Sequence, residues 1–169
     1  MRSMEMPKRS HHPMVEVEAN VALIGPNGPL TLFEAFEGRR QLLAYYFMWH
    51  IGHPAPEQCE GCTWVASQVR ELSYVHSRDV TFAVLCQGPY EESARYRDFM
   101  GWDMPWYTIT DSFDADFGVD QWHGHNAFIR DGERVFRTYF INSRGDEAMG
   151  TVWSYLDMTA LGRKELWEA

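Results

Sequence analysis

The chain lacks the features that would indicate a secreted or membrane-bound protein. Its 169 residues include only three cysteines, too few for the disulfide framework of a small secreted protein. No stretch approaches the length of apolar sequence that a transmembrane helix requires. The basic start of the chain is not followed by the apolar segment of a signal peptide. We therefore expect a cytoplasmic protein that acts without a membrane.

Positive charge is also scarce, and this argues against nucleic acid as a partner. Fifteen Lys and Arg residues face 24 Asp and Glu residues, which gives a formal net charge of −9. Hydrophobic residues make up 45% of the chain and aromatic residues 15%, enough for a substantial core. We expect a flexible N-terminal tail at residues 1–14 and a single domain at residues 15–169.

Two kinds of pattern alternate along the chain and predict an α/β fold. Continuous apolar runs at residues 41–49 and 80–86 are typical of strands buried on both faces, and residues 105–110 form a third extended segment. Helical patterns with capping or terminating residues occur at 31–38, 63–74, 89–101, 111–118 and 146–156. Asp131 and Gly132 predict a hairpin turn between strands at 126–129 and 135–140. This order predicts a sandwich with a mixed sheet and an antiparallel edge hairpin.

The stretch from residue 41 to residue 74 carries the clearest chemical pattern. A predicted strand leads through a loop to Cys59 and Cys62, and a predicted helix follows directly. A helix N-terminus has partial positive charge and free N–H groups, which stabilise a thiolate. Two cysteines at this spacing can also form a disulfide with little movement of the backbone. The layout therefore predicts a redox-active Cys-x-x-Cys pair.

The position of each cysteine along the helix assigns it a role. Cys59, at the outer end, is the predicted nucleophile that attacks a partner disulfide, and Cys62 is the resolving thiol that releases the mixed disulfide. The carboxylate of Glu60 is expected to disfavour the Cys59 thiolate. The predicted activity is thiol–disulfide exchange with a protein or small-molecule disulfide, without a cofactor.

The same residues leave a metal-binding interpretation open. His50 and His53 precede the pair, so four nitrogen and sulfur ligands lie within one short loop. His125, placed just before a predicted strand, is a candidate modulator of Cys59, since a nearby histidine lowers the pKa of a thiol. The alternative is a protein that binds zinc or copper through His50, His53, Cys59, Cys62 and His125. A fold that only binds a partner, without catalysis, is a further alternative.

Two other residues have an ordinary structural interpretation. Cys86 ends an apolar run and is expected to be a small buried hydrophobic residue. Trp64 is expected in the core, as are most of the tryptophans, and it is also a candidate modulator because it follows the cysteine pair closely.

Short motifs occur in a fixed order on both sides of the pair: residues 32–38, Arg39-Arg40-Gln41-Leu42, Tyr46-Phe47-Met48, Arg78-Asp79-Val80-Thr81, Met100-Gly101-Trp102, Pro105-Trp106, Asp116-Phe117-Gly118-Val119, Val135-Phe136-Arg137-Thr138-Tyr139, Tyr155-Leu156-Asp157-Met158-Thr159 and Leu161-Gly162-Arg163. With the cysteine pair, this set resembles a thioredoxin-like family of unknown function of the DUF899 type, within the thioredoxin/peroxiredoxin-like superfamily. The resemblance spans about residues 29 to 165. It implies a thioredoxin-like three-layer α/β/α sandwich, and thiol chemistry at the pair only by analogy.

The chain departs from thioredoxins around the pair. Thioredoxins have a cis-proline before the strand opposite the redox pair, where this chain has His125 or Asn126. They also have a buried acid on the strand before the pair, whereas residues 41–49 contain no Asp or Glu. In place of the serine and aspartate of family relatives, this chain has Thr63 and Ser67.

Two related activities can be compared with the sequence. Peroxiredoxins require Pro-x-x-x-Thr-x-x-Cys, but counting back from Cys59 gives Pro56 at the threonine place and Gly52 at the proline place. Counting back from Cys62 does not fit either, which argues against peroxide reduction by that mechanism. Thioredoxin-like copper chaperones use two cysteines and a distal histidine, for which His125 is suitable, but the cysteines here are one residue closer together.

Overall fold

A computed structural model describes residues 14–111, 113, 117 and 123–163. Its strands are β1 Val15–Val17, β2 Ala22–Gly25, β3 Gly28–Thr31, β4 Gln41–Phe47, β5 Val80–Cys86, β6 Trp106–Ile109, β7 Gly124–Asp131 and β8 Arg134–Asn142. They form one mixed sheet in the order β1-β8-β7-β4-β5-β6-β2-β3. Strand β4 pairs in parallel with β5, and β5 with β6, while the remaining neighbours are antiparallel.

Helices connect the central strands and follow the sheet. Among the residues that the structure describes without gaps, the α-helices are α1 Glu60–Ser67, α2 Ser73–His76, α3 Tyr90–Met100 and α4 Thr151–Asp157. Short 3-10 helices lie at Glu34–Phe36, Ala55–Glu57 and Ser143–Met149. Within the described ranges, no helix combines the length and the apolar character needed to cross a membrane.

Strand β4 lies at the centre and sends alternate side chains into two separate cores. Leu42, Ala44 and Tyr46 pack into the core that also contains Phe36 of the first 3-10 helix. Tyr45 and Phe47 pack into the opposite core, whose other members come mainly from α1, α3 and the strands beside β4. Burial of a large apolar side chain stabilises a fold by about 1.5–3 kcal/mol, so both faces of β4 contribute strongly.

An aromatic cluster holds the carboxyl end of β4. The ring of Phe47 lies 5.3 Å from that of Trp106 and 6.1–6.3 Å from those of Trp49, Tyr96 and Trp102, measured between centroids. Such pairs add about 0.5–1.5 kcal/mol each beyond the burial of area. The cluster therefore fixes the point at which the chain leaves the sheet for the cysteine loop.

Most of the predicted strands are confirmed, and the capping box forms in part as expected. The predicted strand at 80–86 matches β5, and the hairpin turns at Gly132, whose φ is +61°. The Glu34 N–H donates to Thr31 Oγ1 at 3.2 Å, and the Thr31 N–H donates to Glu34 Oε2 at 2.7 Å. Only a single 3-10 turn follows, because Glu37 and Gly38 adopt left-handed backbone angles.

Three predicted boundaries were wrong. The helix expected at 63–74 begins at Glu60 and ends at Ser67, where the Gln68 side chain bonds to Trp64 O and Thr151 Oγ1 instead of facing solvent. The helix expected at 146–156 begins at Thr151, since Gly150 is extended. His125 lies inside β7 and not before it. The predicted tail falls almost wholly outside the described residues, as does most of the helix predicted at 111–118.

We predict that Gly88→Ala destabilises the fold by about 1–3 kcal/mol, because overpacking forces neighbouring atoms to move. An added Cβ would lie 2.1 Å from Cδ1 of Trp49, and the Trp49 ring is held by a 2.9 Å hydrogen bond from Nε1 to Glu92. Denaturant unfolding measures the change. As a control, Gly61→Ala meets nothing nearer than Trp153 at 3.9 Å and should be neutral or slightly stabilising. Equal stability of the two variants would contradict the tight packing at Gly88.

Candidate functional site

The cysteine pair lies at the start of α1, as the sequence predicts. Cys59 is the N-cap residue, and its Sγ accepts a hydrogen bond from the Cys62 N–H at 3.3 Å. Cys59 is partly exposed, while the side chain of Cys62 is buried in the core beneath α1. All three cysteines of the chain are free thiols. The outer and inner positions match the two roles that the sequence assigns.

The two thiols differ strongly in acidity. A hydrogen bond from the Cys62 thiol is the main cause that lowers the pKa of Cys59 to about 7, with help from the N–H groups of Cys62 and Gly61. Partial burial and the charge of Glu60 oppose this shift. The same hydrogen bond, burial and the charge on Cys59 raise the pKa of Cys62 well above its usual range. Near neutral pH the negative charge of the pair is therefore located on Cys59 and not on Cys62.

The loop between β4 and α1 is held from inside by Gln58. Its amide accepts a hydrogen bond from the His50 N–H and donates to the carbonyls of His50 and His53, each at 2.9 Å. Glu92 of α3 anchors the same loop from outside, because its Oε1 accepts from the Gly52 N–H at 3.0 Å as well as from Trp49. The position of Cys59 is thus fixed by two side chains that the sequence interpretation did not single out.

Behind Cys62 lies a group of polar side chains that close the site on the side of the sheet. Tyr45 of β4 is fully buried, and its ring lies 4.7 Å from that of its cross-strand neighbour His125, measured between centroids. His125 Nδ1 is hydrogen-bonded to Oδ1 of Asp146, which is only 1% exposed. Burial raises the pKa of Tyr45 above its usual range, and Cys62, Asp146 and Cys59 raise it further. The charges of the cysteine pair and of Asp146 therefore all act on the Tyr45 hydroxyl.

The candidate modulators occupy different places around the pair. Glu60 is in the first turn of α1 and disfavours the Cys59 thiolate, as predicted, although it is the weakest of the causes. His125 lies beside Tyr45 and pairs with Asp146, and its predicted role as a modulator of Cys59 stays a prediction. Trp64 is 47% exposed, and the expectation that it packs in the core was wrong, because it faces outward from α1.

The residues of the metal interpretation do not converge. The rings of His50 and His53 lie 5.8 Å apart, and His53 Nδ1 pairs with Glu57 Oε2 at 2.9 Å. His125 pairs with Asp146. In the part of the chain that the structure describes, no three His, Cys, Asp or Glu side chains lie close enough together to hold a metal ion. His50, His53, Cys59, Cys62 and His125 therefore do not form one ligand set here.

Tyr45, Gln58, Glu92 and Asp146 are the site residues that the sequence interpretation missed. In the sequence, Tyr45 is one of many apolar and aromatic residues in the continuous run at 41–49, and Gln58 is an ordinary loop residue. Asp146 was placed in the predicted last helix, with no indication that the chain returns to the cysteine pair there. The one sign of these residues in the sequence was the position of Gln58 directly before Cys59, because a residue next to a nucleophile can hold it in place.

A family model and several solved structures match this chain. The model described as "Bacterial protein of unknown function (DUF899)" matches residues 5–168. The comparison with curated proteins found no match. The crystal structure of peroxidoxin BcpB from Mycobacterium tuberculosis is similar over 84% of this chain and 94% of that chain, with 17% identity and a TM-score of 0.56.

Two further structures are of thiol:disulfide interchange proteins. The putative protein DsbE from Chlorobium tepidum matches over 83% of this chain and 94% of its own, with 10% identity and a TM-score of 0.54. The solution structure from Bacteroides sp. matches over 90% of this chain and 96% of its own, with 14% identity and a TM-score of 0.54. At these identities the likeness concerns the fold alone. It confirms the predicted thioredoxin-like α/β sandwich.

We predict that Cys62→Ala raises the pKa of Cys59 above about 7, because the thiol that donates to the Cys59 thiolate is lost. Glu60→Gln should shift it slightly the other way, because a nearby negative charge is removed. The pH dependence of the alkylation rate with iodoacetamide measures both. Cys86 does not interfere, since burial raises its pKa to about 12. An unchanged midpoint in Cys62→Ala would contradict the hydrogen bond from the Cys62 thiol to the Cys59 thiolate.

We also predict that Gln58→Ala loosens the cysteine loop and costs about 1–3 kcal/mol of stability, since three backbone groups lose their buried partner. Hydrogen exchange of residues 50–57 should become faster while exchange in β5 stays slow. Gln41→Ala is the matched control, because the Gln41 side chain is exposed. Equal rates of hydrogen exchange at residues 50–57 in the two variants would show that the Gln58 side chain is not what holds the loop.

Proposed function

The chain belongs to the DUF899 family of bacterial proteins of unknown function and has a thioredoxin-like fold, and on this premise we propose that it is a thiol–disulfide oxidoreductase that uses Cys59 and Cys62. The observation that carries the proposal is the division of acidity within the pair. A partly exposed thiol whose pKa is about 7 is roughly half ionised at neutral pH, and the thiolate is the attacking form. The buried thiol of Cys62, three residues away, stays protonated during the first attack and then acts as the resolving group.

The reaction proceeds in two exchanges. The Cys59 thiolate attacks one sulfur of a partner disulfide, and the other partner sulfur leaves with the electron pair of the broken bond and takes a proton from solvent. Cys62 then loses its proton and attacks Cys59 Sγ, which releases the first partner sulfur as a second thiol. The partner gains two electrons and two protons, and the protein is left as the Cys59–Cys62 disulfide. A dithiol reductant returns the electrons for the next cycle.

The surroundings of Cys59 favour a disulfide carried by a protein or by a small molecule. Trp64 is 47% exposed and Ile51 64% exposed, on the helix and the loop on either side of the pair in sequence. Apolar side chains at these places would contact the carbon atoms next to a partner disulfide. The proposed exchange needs no metal and suits the cytoplasm, where reductants regenerate the dithiol. A purified protein that carries zinc or copper in a one-to-one ratio would argue instead for the metal alternative.

We predict that controlled oxidation joins Cys59 and Cys62 reversibly, and that Cys59→Ser reduces turnover of a disulfide-bonded peptide by about 10²-fold or more, since the nucleophile is lost. Cys62→Ser should still attack but accumulate a mixed disulfide on Cys59, which is visible by mass spectrometry. Cys86→Ser is the control and should keep full activity, because Cys86 is buried away from the surface.

The contrary result is full reductase activity in Cys59→Ser, or a protein in which the two thiols never form a disulfide. Either outcome would reject the enzymatic proposal. Partner binding that survives the loss of both cysteines would favour a non-catalytic binding protein.

A further inference from the structure

The C-terminal helix α4 packs beside the helix that carries the cysteine pair. Gly61, Trp64 and Gln68 follow one another at positions i, i+3 and i+7, so they share the face of α1 along which α4 lies. We propose that Trp153 of α4 is a specificity-determining residue, whose indole binds an apolar side chain next to the cysteine of a partner disulfide. The inference rests on the proposed exchange reaction and names the class of disulfide that the site prefers.

The ring of Trp153 reaches the turn between the two cysteines. A Cβ placed on Gly61 would lie 3.9 Å from Cζ2 of Trp153, an ordinary van der Waals distance. Trp153 is half-buried against the core that contains Cys62, and Cys59 packs against the same core. Because Gly61 is only two residues from Cys59, the exposed part of the indole is close to any chain joined to the Cys59 sulfur.

The start of α4 is fastened to α1 by one side chain. Gln68 Oε1 accepts hydrogen bonds from Thr151 Oγ1 at 2.8 Å and from the Val152 N–H at 3.2 Å, and so caps the first turn of α4. The same amide donates to the Trp64 carbonyl at 3.0 Å. Gln68 therefore bridges the two helices at the level of the residues that precede Trp153.

The end of α4 and the ring itself are also held in place. Arg163 donates to Asp157, the last residue of α4, at 2.6 and 2.7 Å, and it also bonds Glu147 of the preceding 3-10 helix. Gly150 leaves room for the indole, since an added Cβ would lie 2.2 Å from Cε3 of Trp153. Trp153 thus has its position before a partner arrives, and a pre-ordered side chain loses little freedom on binding.

The chemistry of this surface indicates the kind of partner. Trp153 and Trp64, which is 47% exposed, offer indole surface beside the turn that carries Cys59. Tryptophan combines a large apolar area with few rotatable bonds and is common where proteins bind one another most strongly. Glu60 is exposed on the same turn, and its charge disfavours anionic disulfides. The preferred substrate is therefore a protein or peptide disulfide with an apolar residue beside the reacting cysteine.

A purely structural role for Trp153 makes a different prediction. If the ring only held α4 against α1, its loss would reduce the folded fraction and lower the rate with every disulfide by the same factor. In the proposed role, its loss weakens only those substrates that contact the indole. The ratio of the rates with two substrates separates the two roles, because the folded fraction cancels in that ratio.

The test uses two short peptides, each closed by one disulfide, that differ only in having phenylalanine or serine next to the first cysteine. The rate with each peptide is divided by its rate of reduction by dithiothreitol, which removes differences in intrinsic reactivity. We expect the unaltered protein to prefer the phenylalanine peptide by about tenfold in kcat/KM, mainly through a lower KM, as for one moderate contact in an interface. Trp153→Ala should remove this preference and leave the KM for the serine peptide unchanged.

Tyr155→Ala is the matched control and should keep the preference, because Tyr155 is 63% exposed on the same helix but two residues from Trp153, on another side. If Trp153→Ala fails to fold, Trp153→Leu replaces it and should lower the preference by about threefold, since part of the apolar area is lost.

Two results would reject the inference and leave the exchange reaction standing. One is equal kcat/KM of the unaltered protein for the two peptides, and the other is a preference that persists unchanged in the Trp153 variant. If the unaltered protein reduces neither peptide, the exchange reaction itself is wrong, and the role of Trp153 is rejected with it.

Discussion

The negative charge of the Cys59 thiolate, at the first turn of α1, is what the surrounding structure has to support. The N–H groups of the helix and the thiol of Cys62 stabilise it on Cys59, while burial and Glu60 oppose it. The balance requires that Cys59 be the N-cap residue, partly exposed, with Cys62 one turn deeper. A change of one residue in the start of the helix would point the donors away from the sulfur.

The alternation of side chains along β4 supplies much of that support. Tyr45 and Phe47 face α1, and they bring with them the aromatic cluster on one side and the pair His125–Asp146 on the other. Tyr46, between them, packs into the opposite core. The strand therefore serves both as the centre of the sheet and as the inner wall of the site. A shift of register by one residue would exchange these two sets of side chains.

The sequence predicts the strands and the cysteine pair because both are local signals. Continuous apolar runs identify β4 and β5 almost to the residue, and Cys-x-x-Cys before a helical pattern locates the start of α1. The end of α1 depends on Gln68, whose side chain contacts Thr151, a contact between distant parts of the chain. Asp146 likewise pairs with His125 only through tertiary folding. The sequence shows that β4 carries no Asp or Glu, but no local pattern in it indicates that Asp146 packs against His125 of the neighbouring strand β7.

The distance along the chain between the thiols and Asp146 has a consequence for biosynthesis. A ribosome delivers Cys59 and Cys62 together with β4 and β5, well before it reaches β7, β8 and the turn that contains the acid. A nascent chain at that stage has both cysteines but neither His125 nor Asp146, so Tyr45 lacks the pair that lies beside it in the complete sheet. Translation thus imposes an order on maturation, in which the wall behind the cysteine pair is complete only when the C-terminal strands have been added.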